Sequence, residues 1–229
     1  MMKLLFKNVY LRKYYFKKSE IDRILILSSF FCIALVAIRV LVTREIFFLF
    51  LPWNLFLACI PYAITQWVSN HPRWIENRYR FILVFFLWLL FIPNAFYIIT
   101  DLFHLGQSTE APRWYDLAVI FSFAWNGILM GILSVRRMEK IFSIIAPFFN
   151  GLFFVLPVMW LNALGIYIGR YLRYNSWDVF SNPIRLTGDI LYLIHHPLRN
   201  IKEWGMIGCF TLLMVILYES IKRMGKSID

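Results

Sequence analysis

Asn94, Tyr97, Asp101 and His104 place an amide, a phenol, a carboxylate and an imidazole at positions i, i+3, i+7 and i+10. On a helix of 3.6 residues per turn they fall within roughly 80° of one another and share one face. They follow directly on the apolar run Phe81 to Ile92. Such groups on a membrane helix must face protein or water, because lipid offers them no partners. The stripe could line a cavity that binds a ligand, or tie helices together through hydrogen bonds of about 0.6–2 kcal/mol each. His104 could also serve as a general acid or base with Asp101 orienting it. Asp101 and His104, spaced i and i+3, could share a metal ion with His195, His196, Asp116 or Asp178. No dense ligand motif is present, however, and no metal is expected. Pro93, just before the stripe, removes a backbone donor and leaves a carbonyl one turn earlier in need of a partner.

A second constellation comprises Asn162, Gly165, Gly169, Arg170, Arg173, Asn175, Trp177 and Asp178. Gly165 and Gly169 form a Gly-x-x-x-Gly pair that permits close helix approach. Arg170 and Arg173 lie where this apolar span ends. They could anchor the interface, pair with Asp101, or grip an anionic headgroup or phosphate in a two-pronged contact. A third group is Asp116, Trp125 and Asn126. At the start of its helix, Asp116 is favoured by the helix dipole, and Asn126 suits a hydrogen bond within a bundle. The candidate ligand-binding set is therefore Asn94, Tyr97, Asp101, His104, Asp116, Arg170, Arg173 and Asp178. There is no glycine-rich phosphate loop, and no serine or cysteine has a nucleophile motif around it. The sequence indicates no particular cofactor.

These residues need a scaffold, and the composition says which kind. Hydrophobic residues make up 60% of the 229 and charged residues 16%, against about 45–50% and about 25% in soluble domains. The fold class expected is an all-α, polytopic transmembrane bundle of six spans, at about 24–42, 46–68, 81–102, 117–135, 141–168 and 204–220. Pro52 and Pro61 fall in the second span, and Pro147 and Pro157 in the fifth, which is long enough to tilt or kink. Of the 24 Lys and Arg residues, 16 fall on the side that holds both termini and 8 on the other. That ratio puts both termini in the cytoplasm and the Asn94–His104 stripe in the outer half of the membrane.

The net charge of +11 is thus spent on orientation, and no nucleic-acid partner is expected. Residues 1–23 form a basic cytoplasmic segment, too long in its charged part for a cleavable signal peptide. It reads as an amphipathic surface helix held by anionic lipids. The outer connection 170–203 should hold a short amphipathic helix, with Asn182 as its cap, Pro183 at its first position and Pro197 beyond its end. Cys32, Cys59 and Cys209 lie inside apolar spans and behave as small hydrophobes rather than as a disulfide framework.

Three strings carry a family resemblance: Leu89 to Leu105 (LLFIPNAFYIITDLFHL), Trp114-Tyr115-Asp116-Leu117, and Gly165 to Asp178 (GIYIGRYLRYNSWD). They resemble the bacterial integral membrane proteins grouped as domain of unknown function 1361, over roughly residues 25–220. The resemblance implies a multi-pass protein of the bacterial inner membrane, and it brings no activity, substrate or cofactor with it.

Three kinds of function fit these residues. One is a binding or transport module with an outward-open pocket lined by Asn94, Tyr97, Asp101, His104 and Arg170. Another is a membrane enzyme acting on a lipid-linked envelope substrate, with His104 as acid or base and Arg170 and Arg173 as an anion clamp. The last is a structural subunit of a membrane complex or homo-oligomer, its exposed aromatics serving as protein contacts. The enzyme reading requires Asp101 or His104 to lie within about one side chain's reach of an arginine.

Overall fold

The computed structural model describes the backbone of residues 2–107, 110–146, 151–174 and 177–227, and within those ranges the side chains of residues 20–225 apart from Phe180. The elements are α1 (Met2–Thr43), α2 (Phe50–Ser69), α3 (Pro72–Glu76), α4 (Arg78–Tyr97), α5 (Arg113–Ile145), α6 (Gly151–Arg170), α7 (Asp178–Ser181), α8 (Pro183–His195) and α9 (Ile201–Ser227). Two 3-10 segments, Phe47–Leu49 and Ile98–His104, precede α2 and follow α4. There is no strand among the described residues. Six helical stretches are long and apolar enough to cross a membrane: Glu20–Thr43, Phe47–Ser69, Arg78–His104, Arg113–Ile145, Gly151–Arg170 and Ile201–Gly225. The protein is a multi-pass membrane bundle.

Several observed bounds differ from those read in the sequence. α5 begins at Arg113 and runs unbroken through Arg136, Arg137 and Lys140 to Ile145, where the sequence reading ended one span at Val135 and opened the next at Ile141. A charged patch marks a membrane boundary but does not stop a helix, since Arg, Met, Glu and Lys all favour helix. α6 correspondingly starts at Gly151 and contains Pro157, while Pro147 lies outside the described residues. The helix that carries the sixth span, α9, is longer than its apolar core, at 27 residues. Residues 2–43 form one helix, so the basic segment and the first span share an axis.

α8 starts at Pro183 and ends at His195, before Pro197, but Asn182 makes no side-chain capping bond. Proline at the first position already supplies the helical φ and removes one of the donors a cap would serve.

α4 is the axis of the bundle, packed against α2, α5 and α6. Two glycine pairs bring its neighbours close. A Cβ on Gly127 of α5 would stand 2.8 Å from the Ala95 carbonyl oxygen, and one on Gly131 would stand 3.0 Å from the Phe96 ring. On the other side a Cβ on Gly165 of α6 would stand 2.7 Å from the Pro93 ring, and one on Gly169 would stand 3.2 Å from the Tyr97 ring. The carboxyl-terminal end of α4 is therefore held between two Gly-x-x-x-Gly helices. Deeper in the core, buried Trp88 donates to Ser134 Oγ at 2.8 Å, and that hydroxyl lies 2.9 Å from the Pro61 carbonyl oxygen, to which it donates. Asn126 of α5 donates to the Ser122 carbonyl of its own helix at 2.9 Å and accepts from Ser28 Oγ at 2.5 Å, a bond that ties α1 to α5.

Candidate functional site

The polar stripe does not stay on one α-helical face. α4 gives way at Ile98 to a 3-10 helix through His104. The run Ile98-Ile99-Thr100 is β-branched, which weakens the α-helix where Pro93 has already removed a bond. At three residues per turn, side chains three apart eclipse one another. Thr100 thus falls in line with Tyr97, and His104 in line with Asp101. Asp101 swings about a third of a turn away from Tyr97 and becomes fully buried, at 0% exposure.

Arg170, the last residue of α6, reaches into this turn and is held at three points. Its Nη2 donates to Asp101 Oδ1 at 3.0 Å, its Nε to Thr100 Oγ1 at 3.0 Å, and its Nη1 to His104 Nε2 at 3.1 Å. Its guanidinium also lies 5.0 Å from the Tyr97 ring centre and 5.8 Å from that of Phe103. Asn54 of α2 donates to the second Asp101 oxygen at 2.9 Å. The Thr100 hydroxyl passes its own hydrogen to the Tyr97 carbonyl at 2.7 Å. Three elements therefore converge on one carboxylate.

The contacts of His104 fix its tautomer. Arginine can only donate, so Nε2 accepts and Nδ1 carries the hydrogen. Nδ1 lies 2.8 Å from Gln107 Oε1, and Gln107 Nε2 donates back to the Phe103 carbonyl at 3.3 Å, which orients the amide. The imidazole packs edge-on against Phe47 and Phe50, at centroid distances of 5.9 and 5.1 Å.

Beside this cluster opens a cavity of about 770 Å³ between α2, α4, α6 and α8. Asn54, Asn94, Tyr97, His104, Arg170 and Arg173 give it a polar end; Leu57, Leu89, Leu90, Ile168, Leu186 and Ile190 make apolar walls. Among the described residues both formal charges on its lining are arginines. Asp101 stands behind Arg170 and does not line it. Arg173 is exposed, has a left-handed backbone at φ +58°, and has no partner among the described residues. Asn94 donates to the Phe91 carbonyl at 3.0 Å, a bond within its own helix. Tyr174, at the cavity's edge, donates to Asp189 Oδ2 at 2.8 Å. Partial desolvation and that bond hold its phenol above the usual value.

Of the residues singled out in the sequence, Asn94, Tyr97, Asp101, His104, Arg170 and Arg173 gather here. Asp116 does not, and Asp178 stands at the rim, between the lining residues Trp177 and Val179 and near enough to act on Tyr174, without lining the cavity itself. Asp116 is buried in a separate pair with Arg39 of α1: Arg39 Nε donates to Asp116 Oδ1 at 2.7 Å, and both side chains are at most 1% exposed. Arg39 also reaches Glu45 at 3.3 Å and stacks over Phe48 at 4.3 Å. Asp178 opens α7 and accepts from Ser181 Oγ at 2.8 Å. Asn162 is buried, with Nδ2 3.8 Å from Met159 Sδ. Asn175 lies outside the described residues. Asn54, Thr100, Gln107 and Arg39 were not singled out. Asn54 and Arg39 carried a readable signal, a polar or charged residue inside an apolar run. Among the described residues, no group of three or more His, Cys, Asp or Glu is placed to hold a metal ion.

The opposite end of the bundle has its own polar clusters. Asp22 accepts from the Tyr62 hydroxyl and, at 2.9 Å, from Gln66 Nε2, with Arg137 3.8 Å away. Glu139 accepts from the Tyr218 hydroxyl and, at 2.7 Å, from Lys222.

No curated protein and no solved structure matches the chain. Residues 53–217, which include the cavity, its arginines and the Asp101 cluster, match the family described as protein of unknown function (DUF1361), and the chain belongs to that family.

Proposed function

We propose that this protein binds a small anionic group in the cavity between α2, α4, α6 and α8, on the non-cytoplasmic side of the membrane. The observation that carries the reading is the charge of the lining: two arginines, with no acidic side chain among the described lining residues. Arg170 is fixed by Thr100, Asp101 and His104 and keeps one N–H on each terminal nitrogen for a ligand. Its charge is largely offset by Asp101, so Arg173 supplies the net attraction. A preset guanidinium loses little freedom on binding, which favours affinity. The excess of lysine and arginine on the side of the termini supports the orientation.

Binding is favoured over acid–base catalysis by one further observation. Both nitrogens of His104 are engaged, Nε2 by Arg170 and Nδ1 by Gln107. A substrate proton could reach Nε2 only if Arg170 moved away.

Thermal unfolding of the purified protein in detergent tests the reading. Glycerol 3-phosphate should raise the midpoint in a saturable way, as any ligand selective for the folded state must, and glycerol should not. The Arg173→Ala variant should unfold at the same temperature without ligand and lose the shift. An equal shift in that variant, or no shift in either protein, removes the proposal.

A further inference from the structure

The cavity between α2, α4, α6 and α8 has an apolar neighbour. A second crevice of about 480 Å³ adjoins it, lined by Leu83, Phe86, Leu87, Leu89 and Leu90 of α4 and by Val179 of α7. Leu89, Leu90 and Val179 line both spaces, so the two meet along these residues. Every residue of the crevice is apolar. Leu83 and Phe86 are 65% and 62% exposed, on the surface a membrane helix turns to acyl chains. From Leu83, in the second turn of α4, to Leu90, near the middle of the span Arg78–His104, the trough follows α4 for about 10 Å, at the depth that the far part of an acyl chain would reach from a head at the arginines.

A water-soluble anion needs no such apolar neighbour. An anion carried on a hydrocarbon chain does. In a bilayer the chain neither gains nor loses much free energy on passing from lipid to an apolar trough, since both are hydrocarbon-like. The head can then reach the guanidinium groups while the chain stays in the membrane. We infer that the ligand is a lipid phosphate monoester, its headgroup between Arg170 and Arg173 and its chain in the α4 trough. A terminal phosphate is favoured by its three acceptor oxygens and its charge of about −1.5 to −2 near neutral pH. It can accept from the spare N–H groups of Arg170 and from the fork of Arg173 together, which a two-oxygen carboxylate cannot do as fully. This inference rests on the anion-binding reading and adds the chain.

Native mass spectrometry of the full-length protein from detergent provides the test, with dioleoyl phosphatidic acid, dioleoyl phosphatidylcholine and glycerol 3-phosphate as probes. Phosphatidic acid should bind at least tenfold more tightly than either of the others. Leu83→Trp combined with Leu87→Trp fills the trough with side chains that already face outward. It should weaken phosphatidic acid about tenfold and leave glycerol 3-phosphate unchanged, and that unchanged binding also reports an intact fold. Arg173→Ala should weaken both phosphate probes. The chain assignment is overturned if glycerol 3-phosphate matches phosphatidic acid, or if the double tryptophan variant keeps full lipid affinity. Anion binding would survive either result. Phosphatidylcholine binding as tightly as phosphatidic acid overturns the headgroup assignment, and failure of both phosphate probes overturns the anion-binding reading beneath it.

Discussion

Two arginine–aspartate pairs occupy the same end of this bundle, and they are built differently. Arg39 and Asp116 are sealed, each at most 1% exposed, with Phe48 stacked on the guanidinium. Asp101 is as deeply buried, but the Arg170 side chain is 17% exposed and borders a cavity. In the first cluster Arg39 answers to Asp116 and to Glu45 beside it, so the arginine joins α1 to α5 and faces no cavity described above. In the second the carboxylate is the hidden anchor and the guanidinium is presented. Burying one partner of an ion pair while leaving the other at a cavity wall turns a structural contact into a preset recognition group.

The largest effect should come from breaking the sealed pair. Arg39→Met or Asp116→Ala leaves one buried charge without its main partner and should cost about 3–5 kcal/mol. Joining Arg39→Met with Asp116→Leu should recover much of that loss. Equal losses from the single and double variants, in chemical denaturation from detergent, would show that the pairing is not what matters there. Gly165→Ala drives a methyl against the Pro93 ring and should destabilise by about 1–3 kcal/mol. Gly208→Ala, where a Cβ meets nothing within 4 Å, should cost nothing and by helix propensity gain up to about 1 kcal/mol. If both alanines behave alike, the close approach of α6 to α4 is not a constraint. Asp101→Asn should cost about 1 kcal/mol, because Arg170 can still turn to water in the cavity. It should also tighten glycerol 3-phosphate binding, since it frees the charge of Arg170. Weaker binding would mean that Asp101 positions Arg170 more than it neutralises it.

Much of this arrangement was legible in the residues. Hydropathy marks all six crossings, since a span must be apolar over about 20 residues whatever it packs against. The Gly165–Gly169 pair and the possible reach of Arg170 to Asp101 could both be read from spacing. The winding after Tyr97 could not. An even period of 3.6 put Asp101 on the same face as Tyr97, whereas the 3-10 turn moves it behind Arg170. The β-branched run at Ile98 was the available cue, but propensity alone does not fix where a helix tightens. Asp116 reads as a dipole partner because its true partner, Arg39, lies 77 positions away, beyond any local pattern. The same distance problem hid the pairing of Asn54 with Asp101. Gly127 and Gly131 repeat the spacing of Gly165 and Gly169, and they were as readable as that pair.

The tighter coil after Tyr97 also governs immersion. A 3-10 helix climbs about 2.0 Å per residue and an α-helix about 1.5 Å. Over the seven residues Ile98–His104 the difference is roughly 3.5 Å. Had the α form continued, the imidazole would sit that much closer to the bilayer midplane. The height of the ring is thus set by the pitch of the backbone beneath it, and any change that relaxed the coil would sink the ring away from the arginine it steadies.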